Sequence, residues 1–187
     1  PETRAAFDAF LATLTSSTDA APVDFVSIGE LDEYFVPFRT VQGAEAWRNN
    51  GEWVTAHADA LGPAVADRFR IAAGIGAEDE ASARRALEPL SERIQALVAD
   101  AVMLMPTVPG PAPMRTAVGE RVNAVRVATL RMTTPAAIAG LPSLSAPLLT
   151  VPSRLGTAPV GVCVTSRSGT DIALVRLARR LAEAVRT

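Results

Sequence analysis

His57 is the only histidine in this chain, Cys163 the only cysteine, and all 18 basic residues are arginine. These three limits decide most of the chemistry open to it. A serine hydroxyl is a weak nucleophile until an adjacent base takes its proton, and arginine cannot be that base because it does not deprotonate in proteins. A Ser–His–Asp set built on His57 would need a serine on a sharp elbow such as G-x-S-x-G, a pattern the sequence lacks. His57 follows GEWVTA in a helical pattern and reads as a surface or hydrogen-bonded histidine. Cys163 lies in the apolar run VGVCV, where a free cysteine behaves as a small buried hydrophobe; a nucleophilic thiolate needs a base and an electropositive setting. One cysteine permits neither an intrachain disulfide nor a thiolate metal cluster. Glu78, Asp79 and Glu80 precede a helix, where carboxylates serve the dipole, and zinc would also draw on histidine or cysteine. No metal and no cofactor is expected. The aromatic group Tyr34, Phe35, Phe38, Trp47 and Trp53 has two readings: the lining of an acyl pocket, or the packing of a helical subregion onto a sheet.

The elements that must position such groups follow from periodicity. A length of 187 residues suits one domain or a large part of a bigger one. Apolar residues make up 49% of the chain, enough for a real core, and a net charge of −2 gives no footprint for nucleic acid or an anionic membrane. No apolar run reaches the ~18 residues of a membrane span, so a soluble, cytoplasmic protein is expected. Residues 1–100 read as mainly helical with one short strand, and 101–187 as strands plus a final helix. Phe7, Phe10, Leu11 and Leu14 mark an amphipathic helix over 1–16. The opening PETRAAF stands in mid-pattern, as at a fragment boundary. A loop at 15–22 leads to an alternating strand, VDFVSI, at 23–28. Helical pattern then runs from Leu31 to Gly76, with breaks expected near Gly51 and at Gly62–Pro63. A helix over 79–99 should kink or split at Pro89. AVMLM at 101–105 reads as a strand buried on both faces. A loop with four prolines and two glycines spans 106–119. A helix over 120–132, a short helix near 135–139, strands near 143–149 and at 160–165, and a loop at 150–158 follow. The last helix should be capped by Thr170 or Asp171 and bury Ile172, Val175, Leu181 and Val185, with Arg176, Arg179, Arg180, Glu183 and Arg186 outside. Strands alternating with helices give an α/β class.

Four phrases carry more than periodicity: Met105-Pro106-Thr107; TTPAAIAGLPSLSAP at 133–147; Pro159-Val160-Gly161; and Gly169-Thr170-Asp171. In this order and spacing they resemble the C-terminal half of amidase-signature hydrolases, whose chains end in a strand running into "PT", then "T-x-P-A-N-L-A-G-L-P-A-x-S-x-P", then "P-V-G-x-Q", then "G-x-D" opening a helix. FRTVQGAEAWRNNGEW at 38–53 is similar to a stretch of the auxin-amide and small aromatic-amide branch. Ala137 and Cys163 depart from the family's usual asparagine and glutamine, and both exchanges remove hydrogen-bonding groups.

The resemblance implies an α/β fold in which a mixed sheet is covered by helices on both faces. It also implies hydrolysis of carboxamides to carboxylate and ammonia by a serine nucleophile, a cis-peptide serine relay and a neutral lysine base. That lysine and the "GGSSGGS" signature are absent here; the nearest serine cluster, Thr15-Ser16-Ser17-Thr18, lacks glycine. No residue of the chain is therefore expected to be catalytic, and the expected partner is the N-terminal half of the amidase, in the same or a separate chain. Leu130, Met132, Thr133 and Phe38 are the expected substrate-binding residues, because in relatives the segment matching Leu130–Thr134 faces the nucleophile. Leu130 stands where the tRNA-dependent amidotransferase branch has an acidic residue. An apolar group cannot pair with an ammonium, which favours a small apolar or aromatic amide. A homodimer stays open. So does a second reading, a non-catalytic binding or structural module derived from the same fold.

Overall fold

The structure, a computed structural model, describes residues 2–16 and 22–185. The expected loop at 15–22 and the outward Arg186 lie partly or wholly outside the described residues. Six α-helices and three strands are described: α1 Glu2–Thr15, α2 Leu31–Ala56, α3 Pro63–Ala73, α4 Ala77–Leu97, β1 Met103–Pro106, α5 Glu120–Ile138, β2 Ser143–Ser153, β3 Gly156–Thr165 and α6 Asp171–Ala184. The strands form one sheet in the order β1-β3-β2, antiparallel at both pairings. The α/β class holds, and the sheet among the described residues is antiparallel throughout.

Period-two alternation sorts the strand residues into two faces. Val160, Val162 and Val164 are fully buried together with Leu149, Val151, Phe10, Leu11 and Leu174, so α1 and α6 cover one face of the sheet. Gly161, Cys163 and Thr165 point the other way. The register of β2 on β3 shifts between Ala146 and Leu149. Pro147 sits in that gap; it has no N–H for the ladder, and a bulge on an edge strand is where proline is tolerated. A second cluster, Tyr34, Ile94 and Ala139 with Leu90, Leu97, Ile138 and Leu141, holds α2, α4 and α5 together. Met103 of β1 and Ile28 join it, which links the helical layer to the sheet.

Several expectations change. The loop expected at 150–158 is the tip of a hairpin, with a turn at Arg154–Leu155 and Gly156 at φ 107°. Residues 23–28 pair with no strand; Phe25 and Val26 are exposed, and the segment is held by Tyr34 Oη donating to Ile28 O at 2.6 Å and Arg93 to Ser27 O at 2.8 Å. β1 begins at Met103 and is a half-buried edge strand, with Leu104 packed on the valine-face cluster and Met103 on the helical one. Helix α2 runs unbroken through Gly51, which is there because Trp47 packs on it: a Cβ would lie 2.9 Å from the indole. Pro89 does not split α4; it faces solvent, where water can satisfy the carbonyl it leaves unbonded. The inner stripe of α6 is Leu174, Leu177, Ala178 and Leu181, whereas Ile172, Val175 and Val185 are exposed. Thr170 holds the N-cap position of α6, its carbonyl accepting from Leu174 N at 2.9 Å, but its side chain makes no bond to the helix. Its hydroxyl donates to Arg167 O at 2.6 Å and meets Ser166 Oγ at 2.7 Å. Asp171 is the first residue of α6.

Candidate functional site

Three of the four phrases converge on the sheet face that α1 and α6 leave uncovered. Thr107 N donates to Gly161 O at 2.8 Å, which carries β1's pairing one residue past its end. Thr107 Oγ1 and Ser145 Oγ then hydrogen-bond to each other at 2.7 Å across the backbone of Gly161. A Cβ at Gly161 would lie 2.3 Å from Ser145 Oγ and 2.9 Å from Thr107 Oγ1. The two hydroxyls meet only because residue 161 has no side chain. One step along the same face, Ser143 Oγ meets Thr165 Oγ1 at 2.6 Å and Cys163 Sγ at 3.1 Å. Ser143 and Thr165 were not picked out by sequence reasoning. Their signal was the alternation itself: S-L-S-A in β2 and G-V-C-V-T in β3 put small polar groups opposite the valine face.

Helix α5 closes on this region through a left-handed terminus. Gly140, at φ 62°, follows the C-cap Ala139; Gly140 N donates to Ala137 O and Leu141 N to Ala136 O, each at 3.2 Å. These are the two bonds of a Schellman motif, so the Ala-Gly-Leu-Pro phrase is a helix stop that aims β2. The helices expected at 120–132 and 135–139 are one. Pro135 withholds an N–H from the last turns, and the threonines before it bond to nearby carbonyls instead. Thr134 Oγ1 donates to Leu130 O at 2.7 Å, and Thr133 Oγ1 to Thr129 O at 3.1 Å.

The four expected substrate-binding residues fall on two elements. Leu130, Met132 and Thr133 are half-buried on α5, and Phe38 is half-buried on α2, which packs along α5. At about 100° per residue, Leu130 and Thr133 share a helix face, while Met132 projects roughly the other way. Met132 borders a cleft of about 1730 Å³ between α1, α6 and the segments 22–28 and 97–104, with Met103, Pro106 and Ser166 beside it. The aromatic group does not form one wall. Tyr34 and Phe35 are buried near the start of α2, and Trp53, 52% exposed, lies near its other end.

None of the hydroxyls on the sheet face has a base among the described residues. His57 is exposed, stacked on Trp53 with ring centroids 4.7 Å apart, and its Nδ1 lies 2.9 Å from Trp53 O, where it donates to the carbonyl. Asp79 Oδ2 accepts from Gly76 N at 3.2 Å, and Glu80 binds Arg48 and Arg84, so the acidic triplet serves the start of α4. The described residues contain no cluster able to hold a metal ion, and no described helix is long and apolar enough to cross a membrane. Thr107, Ser145, Ser143 and Thr165 can hydrogen-bond and position one another.

No protein-family model matches the chain, and no curated protein matches it. Solved structures do. The chain is similar to a crystal structure of an amidase, with a TM-score of 0.81 at 24% identity over 97% of this chain and 41% of that one. It is similar to the Kluyveromyces lactis allophanate hydrolase, with a TM-score of 0.80 at 19% identity over 99% and 30%. A third likeness is to 6-aminohexanoate cyclic dimer hydrolase, with a TM-score of 0.70 at 19% identity over 99% and 42%. The chain thus spans well under half the length of these structures. The fold observed is the one expected for the C-terminal part of amidase-signature enzymes.

Proposed function

We propose that these 187 residues are the sheet-completing and pocket-shaping part of an amidase that hydrolyses carboxamides to carboxylate and ammonia. The reaction is nucleophilic: a serine attacks the amide carbon, a second serine relays its proton to a neutral lysine, and ammonia leaves before water releases the acyl group. Those three residues lie on a preceding segment outside this sequence. The observation that carries the reading is the meeting of Thr107, Ser145 and Gly161. Phrases far apart in sequence and shared with amidase-signature enzymes form one hydrogen-bonded knot on a sheet face without a helical cover from α1 or α6.

In this reading Leu130, Thr133 and Phe38 line the acyl side of the pocket, and Met132 borders its approach. Leu130 offers no counter-charge to an ammonium, so a small apolar or aromatic acyl group is preferred over an amino acid. The test is ammonia release from phenylacetamide by the 187-residue chain alone and by the full coding sequence that contains it. Turnover is expected only with the preceding segment present. Full turnover by the 187 residues alone would overturn the proposal.

A further inference from the structure

Two stretches that border the cleft of about 1730 Å³ carry backbone groups with nothing to bond to among the described residues. The first is β1, an edge strand in the order β1-β3-β2. Its phase follows from the bond that Thr107 N gives to Gly161 O. Bonded and unbonded residues alternate along an antiparallel ladder. Met103 and Met105 therefore turn their backbone toward β3, and Leu104 and Pro106 turn theirs to the outer edge. Proline belongs on that edge, where no N–H is owed to β3. The second stretch is 23–28. Ser27 O and Ile28 O accept from Arg93 and Tyr34, but the backbone of Val23 to Val26 bonds to no described residue.

Both stretches sit between the same two apolar clusters. Leu104 packs on the valine-face cluster and Met103 on the helical one; Val23 packs on the first and Ile28 on the second. Odd and even residues of a strand face opposite ways, and Val23 and Ile28 divide accordingly. On a strand Phe25 would share the face of Val23, and Val26 that of Ile28, yet they are 76% and 59% exposed. The cleft wall is apolar, with Phe7, Leu11, Leu97 and Leu177 in it. We propose that a β-strand from outside these 187 residues enters the cleft and pairs with β1 on one side and 23–26 on the other. The similar amidase matches 97% of this chain with only 41% of its own length, so more than half of that architecture lies beyond the matched part. Strand addition supplies partners for the open N–H and C=O groups, and it covers Phe25 and Val26. A strand lying between two apolar clusters is buried on both faces, so the donor should be a nearly continuous apolar run of about five or six residues. This rests on the reading of the chain as part of a larger amidase, and it names the edge at which the rest joins.

The experiment is hydrogen exchange on the product of the full coding sequence that contains this chain. The amides of 23–26 and of Leu104 should exchange at least about a hundredfold more slowly than in an unstructured peptide. Weaker protection at either stretch would overturn the insertion. Protection that rises with protein concentration as the chain dimerises would assign the cleft to a second copy, and a coding sequence with no apolar run to donate would leave nothing to enter it; either result overturns the proposal. Phe25→Asp should lower the thermal midpoint of the full product by several degrees, because the paired strand would bury the carboxylate; an unchanged midpoint counts against it. Amide turnover is scored separately. Protection without turnover would fail the amidase reading alone, and turnover with fast exchange at 23–26 would fail the strand alone.

Discussion

Gly161 shows how a single residue can decide whether a polar contact exists. Its missing side chain is what allows Thr107 and Ser145 to meet at 2.7 Å. In Gly161→Ala the new methyl group falls inside both hydroxyls, so one of them must rotate away or the strands must part. A loss of about 1–3 kcal/mol is expected, the usual cost of forcing atoms into a packed site, read from the denaturant midpoint. Adding Ser145→Ala removes the nearer obstacle and should recover part of that loss, a coupling that a double-mutant cycle measures. The phrases themselves were legible in sequence, as matches to an enzyme family. Their contact was not, because a hydrogen bond between residues 38 positions apart depends on strand register, and local pattern does not fix register across a crossover.

At the scale of elements, strong periodicity was read well and phase was read poorly. The helices at 2–15 and 171–184 were visible because apolar residues recur at helical spacing, whereas α5 was read as two helices, 120–132 and 135–139. The stripe of α6 was nonetheless turned: Leu174 is 3% exposed, whereas Ile172 is 67% exposed. A helix carrying apolar residues on two faces does not declare which face meets the sheet; the neighbours Phe10 and Leu149 do. Leu174→Ala should therefore cost about 2–5 kcal/mol, the range for emptying a buried leucine site, and Ile172→Ala less than about 0.5 kcal/mol. Equal losses in urea unfolding would contradict the observed rotation. The three interior prolines teach the same lesson. Pro37, Pro89 and Pro135 all sit within continuous helices, because one missing N–H does not end a helix whose packing holds it on both sides. The absent strand at 23–28 is the converse case. Its alternation is genuine, but it pairs with neither sheet edge and is tied down instead by Tyr34 and Arg93.

For the whole molecule, no lysine titrates at alkaline pH, which leaves the phenol as a group whose effect on stability there can be read by substitution. Tyr34 is the only tyrosine, and burial raises its phenol above the ordinary value of 10.0, with Arg93 opposing and Glu33 adding to the rise. The folded state therefore holds this proton more tightly than the unfolded chain does. Stability from this group is complete below about pH 10 and falls as pH rises from there through the folded value. Tyr34→Phe should remove that slope, and it should also lower stability at neutral pH by about 1 kcal/mol, because the bond to Ile28 O is lost. Unfolding midpoints between pH 8 and 11 test both parts; an unchanged slope in the variant would contradict the first.

The two helices on the valine face of the sheet, α1 and α6, come from opposite ends of the sequence and share one buried cluster. The helical layer, by contrast, closes mostly through neighbours in order, α2 with α3, α4 and α5. During synthesis this layer can assemble as soon as it emerges, whereas Phe7, Phe10 and Leu11 must wait for Leu174 and Ala178. The entropy of closing so long a loop slows such a step, and an apolar helix left uncovered in the meantime is open to aggregation. Of the two helices, α1 is made long before its partner α6, and it is thus among the last of these elements to find its place.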